Sequence, residues 1–289
     1  MKLKKMMALA LASTALIAAA GCGGNSQPAK SGAASGAKVT GQVTASGSSA
    51  LLPLVKDAAA KFKSKNPEVS LTLNAGGSGT GLKQVAEGSV NIGNSDVPAE
   101  KKLPAEKAKG LVDHKVCTMT VATIINKDIA DKVKSLTSQQ LQDVFTAKVT
   151  NWKDVGGNDA PIVVVGREAG SGTRGAFEEL LKLEDACKYS NELDSTGAVM
   201  AKVASTPGSI GYVSLDVLDD TVKALKLDGA EPTEENIKAG KYFLSRPFVM
   251  ATKGEISEQS DLVKALFDFI YSDEGSELVK SVGLITADK

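Results

Sequence analysis

Histidine and cysteine are nearly absent from this chain of 289 residues. The single histidine is His114, the three cysteines are Cys22, Cys117 and Cys187, and no CxxC spacing occurs. This set is too small for the ligand cluster of a zinc site, so we expect no metal. A hydrolase triad would have to use His114, and the GxSxG turn that presents a nucleophilic serine does not occur. The sequence therefore predicts a protein that is not an enzyme.

The chain also lacks an excess of positive charge. Lysine plus arginine number 34 and aspartate plus glutamate also number 34, and leaving out Lys2, Lys4 and Lys5 gives 31 against 34. Proteins that bind nucleic acid usually carry a basic excess, so no nucleic acid is expected as a partner. The GxxxxGK[ST] pattern does not occur, and the Gly-rich residues 76–81 lack the GxGxxG spacing. This disfavours an NTPase or a dinucleotide enzyme, and no cofactor is expected.

The longest apolar run lies at the N-terminus. Residues 6–20 are apolar apart from Ser13 and Thr14, follow three lysines, and are too short and too rich in alanine for a membrane span. Residues 19–22 (AAGC) resemble the lipobox of bacterial lipoproteins, in which the cysteine is acylated and becomes the mature N-terminus. We predict a lipoprotein signal peptide over 1–21 and palmitate on Cys22. The alternative is an ordinary signal peptide with an incidental cysteine.

Residues 22–37 are rich in Gly, Ser and Ala and cannot form a core, so they are predicted to be a flexible tether. The protein is then exported and anchored to the bacterial cell membrane by lipid only, facing the periplasm or the cell exterior. Export makes a disulfide between Cys117 and Cys187 possible, but their spacing leaves open whether they pair or remain buried thiols.

Strand-like and helix-like patterns alternate through the rest of the chain, which predicts an α/β fold with a largely parallel sheet. Apolar residues alternate at Val69, Leu71 and Leu73, as in a strand, whereas the stretch after Ser49 has helical spacing. The expected strands lie near 39–44, 69–73, 90–92, 116–125, 161–165, 210–215 and 248–251. One long helix is expected over 260–281, and Trp152 is expected to be a packing anchor.

Three segments rich in Gly and hydroxyl residues each follow a predicted strand and precede a predicted helix. They are residues 46–49 (SGSS), 76–81 (GGSGTG) and 170–173 (GSGT), with Arg167 just before the third. A helix N-terminus offers free N–H groups and partial positive charge, and glycine lets a ligand approach the backbone. Ligands bind at the carboxyl ends of strands in open α/β sheets. The three segments are therefore predicted to meet in one cleft and bind a small tetrahedral anion.

Each candidate ligand has a role that its chemistry suggests. Arg167 can form a bidentate pair with two anion oxygens, and hydroxyl and backbone N–H groups add further donors. The hydroxyl donors are Ser49, Ser78, Ser171 and Thr173, and the backbone donors are Ala50, Gly79, Gly172 and Thr173. Asp96 would repel a fully ionised anion but can accept the O–H of hydrogen phosphate, which sulfate lacks. Asp96 is therefore predicted to select phosphate over sulfate.

Structural alternatives exist for every one of these residues. Ser48 or Ser49 could be only a helix N-cap, and residues 76–81 only a mobile turn. Arg167 could form a surface ion pair with Glu168 or Glu178, and Asp96 could form only an Asx turn. Arg174 is expected to point to solvent or to an acidic neighbour.

Taken together, the segments resemble the phosphate-binding lipoproteins that serve ABC-type phosphate importers, which have the type II periplasmic binding-protein fold. The resemblance covers nearly all of residues 39–289. The segments that carry it are 46–49, 52–54, 76–79, 93–96, 150–157, 167–174 and 210–214. The third Gly-rich segment with its arginine is the most specific of them.

The resemblance implies a two-lobed α/β fold with two hinge crossovers and the ligand in the interlobe cleft. Lobe one would comprise 38–118 plus 247–289, and lobe two would comprise 119–246. The implied phosphate ligands are Ser49, Ala50, Ser78, Asp96, Arg167, Ser171, Gly172 and Thr173, of which Ala50 can bind only through its backbone. The implied function is high-affinity binding of inorganic phosphate by a monomer that delivers it to ABC permease subunits.

Two other functions remain open at this point. The same site could bind another oxyanion such as sulfate, molybdate or tungstate. A surface lipoprotein could also use the same fold to sense phosphate without transporting it.

Overall fold

A computed structural model describes residues 39–287. The predicted signal peptide (1–21), the lipidation site Cys22 and the tether (22–37) lie outside the described residues. Within 39–287, no helix has both the length and the apolar character needed to cross a membrane.

Strands and helices alternate as the sequence patterns predict. The strands are β1 (Gly41–Gly47), β2 (Val69–Ala75), β3 (Ile92–Ser95), β4 (Leu111–Ile125), β5 (Ser135–Leu136), β6 (Val163–Arg167), β7 (Asn191–Leu193), β8 (Ser209–Ser214), β9 (Lys223–Ala224), β10 (Lys226–Leu227), β11 (Ser245–Lys253) and β12 (Ile285–Thr286). The α-helices are α1 (Leu52–Lys65), α2 (Ser78–Glu87), α3 (Ala105–Ala108), α4 (Ser138–Phe145), α5 (Gly172–Leu180), α6 (Thr196–Ser205), α7 (Glu234–Lys238), α8 (Asp261–Ile270) and α9 (Asp273–Ser281). Short 3₁₀ helices cover Ala99–Lys101, Trp152–Val155, Leu215–Val217 and Ile256–Glu258.

Two groups of parallel strands are joined by long antiparallel strands. The main sheet has the order β2-β1-β3-β11-β4-β8-β6-β7, with β9 and β12 also paired to β4. The pairs β1–β2, β1–β3, β6–β7 and β6–β8 are parallel, whereas β11 is antiparallel to β3 and β4, and β4 is antiparallel to β8. The expected parallel arrangement thus holds inside each group, but it is wrong for the strands that cross between the groups, because β4 and β11 run in opposite directions.

The single helix expected over 260–281 is wrong, because the structure has two helices there. α8 ends at Ile270, and Ser272 begins α9 by accepting the Gly275 N–H at 3.2 Å on its hydroxyl. A Cβ on Gly275 would lie 2.3 Å from the carbonyl oxygen of Ile270, so the chain turns tightly here. The apolar face continues from α8 into α9, which is why the residue pattern resembles one helix.

A buried aromatic cluster packs beneath α5. Phe177 stacks on Tyr212 with ring centroids 4.3 Å apart, and the ring centroids of Phe145 and Phe177 lie 4.6 Å apart. The cluster fixes the end of β6 and the start of α5, where Arg167 and the third Gly-rich segment lie.

Trp152 is fully buried and donates its indole N–H to the carbonyl oxygen of Gly208 at 2.8 Å, which confirms that it is a packing anchor.

Glycine is required where α2 and β3 cross the end of β1. A Cβ on Gly81 would lie 2.3 Å from the carbonyl oxygen of Ser46, and a Cβ on Gly47 would lie 2.1 Å from that of Asn94. Gly47 also has a φ of +137°, which other residues rarely adopt. These close approaches bring the ends of β1 and β3 and the start of α2 together.

The two cysteines in the described part of the chain are both free thiols, so the disulfide left open by the sequence is not formed. Cys117 is buried in β4, and burial raises its pKa well above the ordinary value. Cys187 is half-buried, and burial raises its pKa to about 11. Both therefore remain protonated at neutral pH and are poor nucleophiles.

Asp216 is a half-buried residue in the short helix after β8. Its Oδ1 accepts a hydrogen bond from the Ser214 hydroxyl. Its Oδ2 is buried without a hydrogen-bond partner among the described residues. Burial raises its pKa from 3.8 to about 6, although the Ser214 hydroxyl opposes this and the charge of Asp96 adds to it. Between these two values the folded protein holds a proton that the unfolded chain has lost, so the free energy of unfolding falls as pH rises.

We predict that Asp216→Asn removes this loss of stability. Relative to wild type, the variant should gain about 3 kcal/mol of unfolding free energy between pH 4 and pH 7, since each pKa unit corresponds to ~1.4 kcal/mol. Urea unfolding of the full-length proteins, followed by far-UV circular dichroism at several pH values, measures the difference. Asp220→Asn changes an exposed carboxylate nearby and should follow the wild-type curve. Parallel curves for Asp216→Asn and wild type would contradict the prediction.

Candidate anion-binding site

The three predicted Gly-rich segments lie against one another at the ends of their strands. Gly79 N–H donates to the carbonyl oxygen of Gly170 at 3.0 Å, which joins the second segment to the third. A Cβ on Gly172 would lie only 2.1 Å from Ser78 Oγ, so glycine is needed for α5 to begin here. The structure therefore brings the starts of α2 and α5 together, and residues 76–81 form an ordered contact and not only a mobile turn.

Arg167 is the buried cation of the site, with a relative exposure of 1%. Its guanidinium donates to both carboxylate oxygens of Glu168 at 3.0 Å and to the carbonyl oxygens of Leu193 and Asp194. Nη1 donates one of its two protons to Thr196 Oγ1 at 3.0 Å. The ion pair with Glu168 that the sequence allowed is present. It is not a surface ion pair, because Arg167 is buried. One Nη1 proton has no acceptor among the described residues, which leaves it available to a ligand.

Asp96 directly follows β3, and its side chain contacts the start of α5. Its Oδ2 accepts the hydroxyl of Thr173 at 2.6 Å, and its buried Oδ1 has no hydrogen-bond partner among the described residues. The local turn is made instead by Ser95, whose hydroxyl donates to the carbonyl oxygen of Val97 at 2.6 Å. The Asx-turn alternative for Asp96 is therefore wrong, because its side chain bonds to α5.

Burial is the largest influence on the charge of Asp96. Desolvation raises its pKa, while the hydroxyls of Ser48 and Thr173 and the charges of Arg167 and Lys102 lower it. A carboxylate that has lost its water, and whose Oδ1 makes no direct hydrogen bond to the described residues, is stabilised by a ligand that donates a proton to it.

Neighbouring backbone N–H groups orient the hydroxyl groups of Ser78 and Ser171. Ser78 Oγ accepts the Asp96 N–H at 3.1 Å, and Ser171 Oγ accepts the Arg174 N–H at 3.2 Å as the N-cap of α5. Each hydroxyl proton is then free to point to a ligand. The N–H groups of Gly172 and Thr173, at the start of α5, are used by no hydrogen bond among the described residues.

The first predicted segment is arranged differently from the expectation. Ser48 Oγ accepts the N–H groups of Ala50 at 3.2 Å and Leu51 at 3.1 Å, so it closes the turn before α1. The Ala50 N–H, predicted to face the ligand, therefore already has an acceptor. Ser49 is half-buried, and its hydroxyl lies 3.2 Å from that of Thr196.

Thr196 and the junction between β7 and α6 are features of the site that the sequence interpretation missed. This junction is a fourth strand-to-helix turn, with Ser195 Oγ accepting the Ala198 N–H at the start of α6. The sequence signal was Ser195-Thr196 followed by Val199 and Val203 at helical spacing, but β7 is too short to be recognised. Asn94 was also missed, and its Oδ1 is buried without a partner in the described part of the chain.

Arg174 does not belong to the anion site. Its guanidinium pairs with Glu178 at 2.8 Å and with Glu192 at 3.3 Å, and it lies over the ring of Tyr189. The expected acidic neighbour is thus confirmed. Within residues 39–287, no group of three or more His, Cys, Asp or Glu side chains is arranged to hold a metal ion.

Comparison with known proteins identifies the family. A profile of the PBP superfamily domain matches residues 32–274. The phosphate-binding protein PstS of Bacillus subtilis is 41% identical over 95% of this chain and 91% of its own length. The phosphate-binding protein PstS of Staphylococcus epidermidis is 27% identical over 93% of this chain and 84% of its own length.

Solved structures agree with this assignment. A Clostridium perfringens protein, described as a phosphate ABC transporter substrate-binding protein and crystallised with bound phosphate, is 39% identical and superposes with a TM-score of 0.79. The match covers 86% of this chain and 100% of that one. An ABC-type phosphate transport receptor from Vibrio cholerae is 29% identical, with a TM-score of 0.68 over 85% of this chain and all of its own.

The fold is the two-lobed α/β architecture of type II periplasmic binding proteins, as the sequence predicted. The chain therefore belongs to the PBP superfamily and, within it, to the family of the PstS phosphate-binding proteins.

Proposed function

We propose that this protein binds inorganic phosphate outside the cytoplasm with high affinity and delivers it to an ABC-type permease. The observation that carries the proposal is the buried Asp96 Oδ1, which makes no hydrogen bond to the described residues. Phosphate keeps a proton at neutral pH and can donate it to this oxygen. Sulfate has no proton, so its oxygen would face an unpaired buried carboxylate.

The ligand set that we propose is the one expected from the sequence, with two changes of emphasis, for Ala50 and Thr173. Arg167 neutralises charge, the free N–H groups of Gly172 and Thr173 contribute the dipole of α5, and Ser78 and Ser171 donate hydroxyl protons. Ser49 donates from the start of α1. Ala50 contributes less than its neighbours, because its N–H is already bonded to Ser48. Thr173 acts mainly through its N–H, because its hydroxyl is held by Asp96.

We further propose that the lobes divide where β4 changes partner. Thr120 pairs with Ser245 of β11, and the next residue, Val121, pairs with Ser214 of β8. This supports lobes of 38–118 plus 247–289 and 119–246. Phosphate would then bind while the lobes are apart and be enclosed as they close about β4 and β11.

Attachment to the membrane is proposed from the sequence. A cysteine at the end of an export signal, followed by a polar tether, suits a protein that is held at the bacterial cell membrane only by lipid and acts as a monomer beside its permease. The absence of a triad or nucleophile pattern suits binding without catalysis.

The first prediction concerns the ligand. The full-length protein, freed of bound anion by partial unfolding and refolding, should bind one phosphate with a Kd of about 1 μM or tighter, and sulfate at least about a hundredfold more weakly. Isothermal calorimetry with phosphate, sulfate and molybdate measures this. A chromogenic phosphate ester should not be hydrolysed by the same preparation. Tighter binding of sulfate or molybdate would refute phosphate as the ligand, and catalytic turnover would refute a pure binding role.

A second prediction concerns Asp96. In Asp96→Asn, phosphate should bind more weakly, and the preference for phosphate over sulfate should fall about tenfold or more, because the uncompensated negative charge has been removed. Competition calorimetry gives the ratio of the two affinities. Asp113→Asn is the matched control, since Asp113 accepts the Ala99 N–H at 2.8 Å outside the ligand set. An unchanged ratio in Asp96→Asn would remove Asp96 from the discrimination.

A third prediction concerns Cys22. Expression of Cys22→Ser in a bacterium should shift the protein from the membrane fraction to a soluble exported fraction, because a protein without acyl chains has no anchor. Fractionation followed by mass spectrometry of the mature N-terminus detects both the shift and the acyl chains. Cys117→Ser should leave the distribution as in wild type. An unmodified Cys22 in the wild-type protein would contradict lipidation.

A further inference from the structure

Thr196 contacts both halves of the anion site, although it is not one of the predicted ligand residues. It begins α6, and only 1% of its surface is exposed. Its Oγ1 accepts a proton from Arg167 Nη1 at 3.0 Å and lies 3.2 Å from Ser49 Oγ. Its backbone N–H donates to the same Ser49 oxygen at 3.2 Å. One residue therefore contacts both the cation of the site and the hydroxyl that comes from the start of α1.

The direction of these hydrogen bonds follows from the chemistry of arginine. A guanidinium can only donate, so Thr196 Oγ1 must accept from Arg167. Either hydroxyl can donate in the 3.2 Å contact between Thr196 Oγ1 and Ser49 Oγ, and Thr196 still has its own proton to give. Ser49 Oγ accepts the N–H of Thr196. When Thr196 is the donor in the hydroxyl contact, Ser49 Oγ accepts both groups. Because the Ser49 oxygen is then occupied as an acceptor, the Ser49 hydroxyl still has its proton to donate to a ligand. The chain of donors runs from Arg167 through Thr196 to Ser49, and each bond polarises the next.

Ser49 differs in this respect from the other hydroxyl ligands. Ser78 accepts from Asp96, which lies in the same group of strands, and Ser171 accepts from its own helix. These two hydroxyls are oriented whether or not the lobes meet. Ser49 is oriented by Thr196, which lies on the other side of the β4 crossover. Its orientation as a donor therefore depends on contact between the two halves.

We propose that Thr196 is a positioning residue, whose hydroxyl makes Ser49 a proton donor to the bound phosphate and ties that donation to lobe closure. This inference rests on the proposed function, since it assigns a role within the same site. Thr196 itself does not touch the anion. Its contribution is to hold the closed form, so its loss acts on the release of phosphate more than on its capture.

The test compares Thr196→Val, which removes the hydroxyl at nearly constant volume, with Thr196→Ser, which keeps it. In the full-length protein, Thr196→Val should weaken phosphate binding about tenfold, mostly through faster dissociation, as expected for loss of a hydrogen bond to a charged group. Thr196→Ser should stay within about threefold of wild type, since its hydroxyl can make the same bonds. Calorimetry gives Kd, and stopped-flow displacement of phosphate gives the dissociation rate.

Two further variants separate this role from simple structural damage. Thr146→Val is the matched control, because Thr146 donates its hydroxyl to Gln142 at the end of α4, and phosphate binding should not change. In a Ser49→Ala background, Thr196→Val should cost at most about threefold, because the hydroxyl through which it acts is gone. Thr196→Ala replaces the valine variant if the latter lacks the wild-type circular dichroism spectrum.

The outcomes distinguish this inference from the proposed function. If wild type binds phosphate and Thr196→Val matches it, or if the loss is equal with and without Ser49, Thr196 does not position Ser49. If Thr196→Ser is as weak as Thr196→Val, the hydroxyl is not responsible, and the inference also fails. If wild type binds no phosphate, the proposed function fails, and this role fails with it.

Discussion

The buried guanidinium of Arg167 is the interaction on which the rest of the site depends. A cation with almost no solvent exposure is stable only if most of its donors find acceptors, and here Glu168, two carbonyl oxygens and Thr196 accept all but one of its protons. The backbone N–H of Arg167 also donates to the Tyr212 hydroxyl at 3.1 Å, and the Tyr212 ring stacks on Phe177 of α5. The aromatic core therefore holds the cation in place, and the cation in turn orders the loop before α6.

Polar contacts join the two groups of strands near this cation. Lys102 donates to the carbonyl oxygen of Ala169 at 3.0 Å, and Glu179 of α5 pairs with Lys101 at 3.2 Å and with Arg246 at 2.7 Å. The Arg246 and Lys101 partners lower the pKa of Glu179. Polar contacts of this kind separate at little cost in exposed apolar area, which suits lobes that must open to release an anion.

Selectivity in such a site comes from buried polar atoms that make no hydrogen bond within the protein. The donors of α5 and Arg167 would attract any tetrahedral oxyanion, and none of them distinguishes phosphate from sulfate. In the proposed site, Asp96 Oδ1 is the group that does, because a buried acceptor with no donor in the described part of the chain is costly and a protonated ligand supplies one. The negative charge of Asp96 also limits the net positive charge of the site, so affinity depends on hydrogen bonds as much as on charge.

The sequence by itself determined the fold class, the three Gly-rich turns and most of the residues of the proposed site. Strand and helix periodicity and the residue types at helix starts are local properties, so they can be read without knowing the fold. The tertiary structure decided what depends on distant partners: the opposite directions of β4 and β11, the break at Ser272, the unbridged Cys117 and Cys187, and the bond that occupies Thr173. It also decided the place of Thr196, because the contact between Thr196 and Ser49 joins residues 147 positions apart. No local pattern encodes such a contact, since it exists only where the two groups of strands meet.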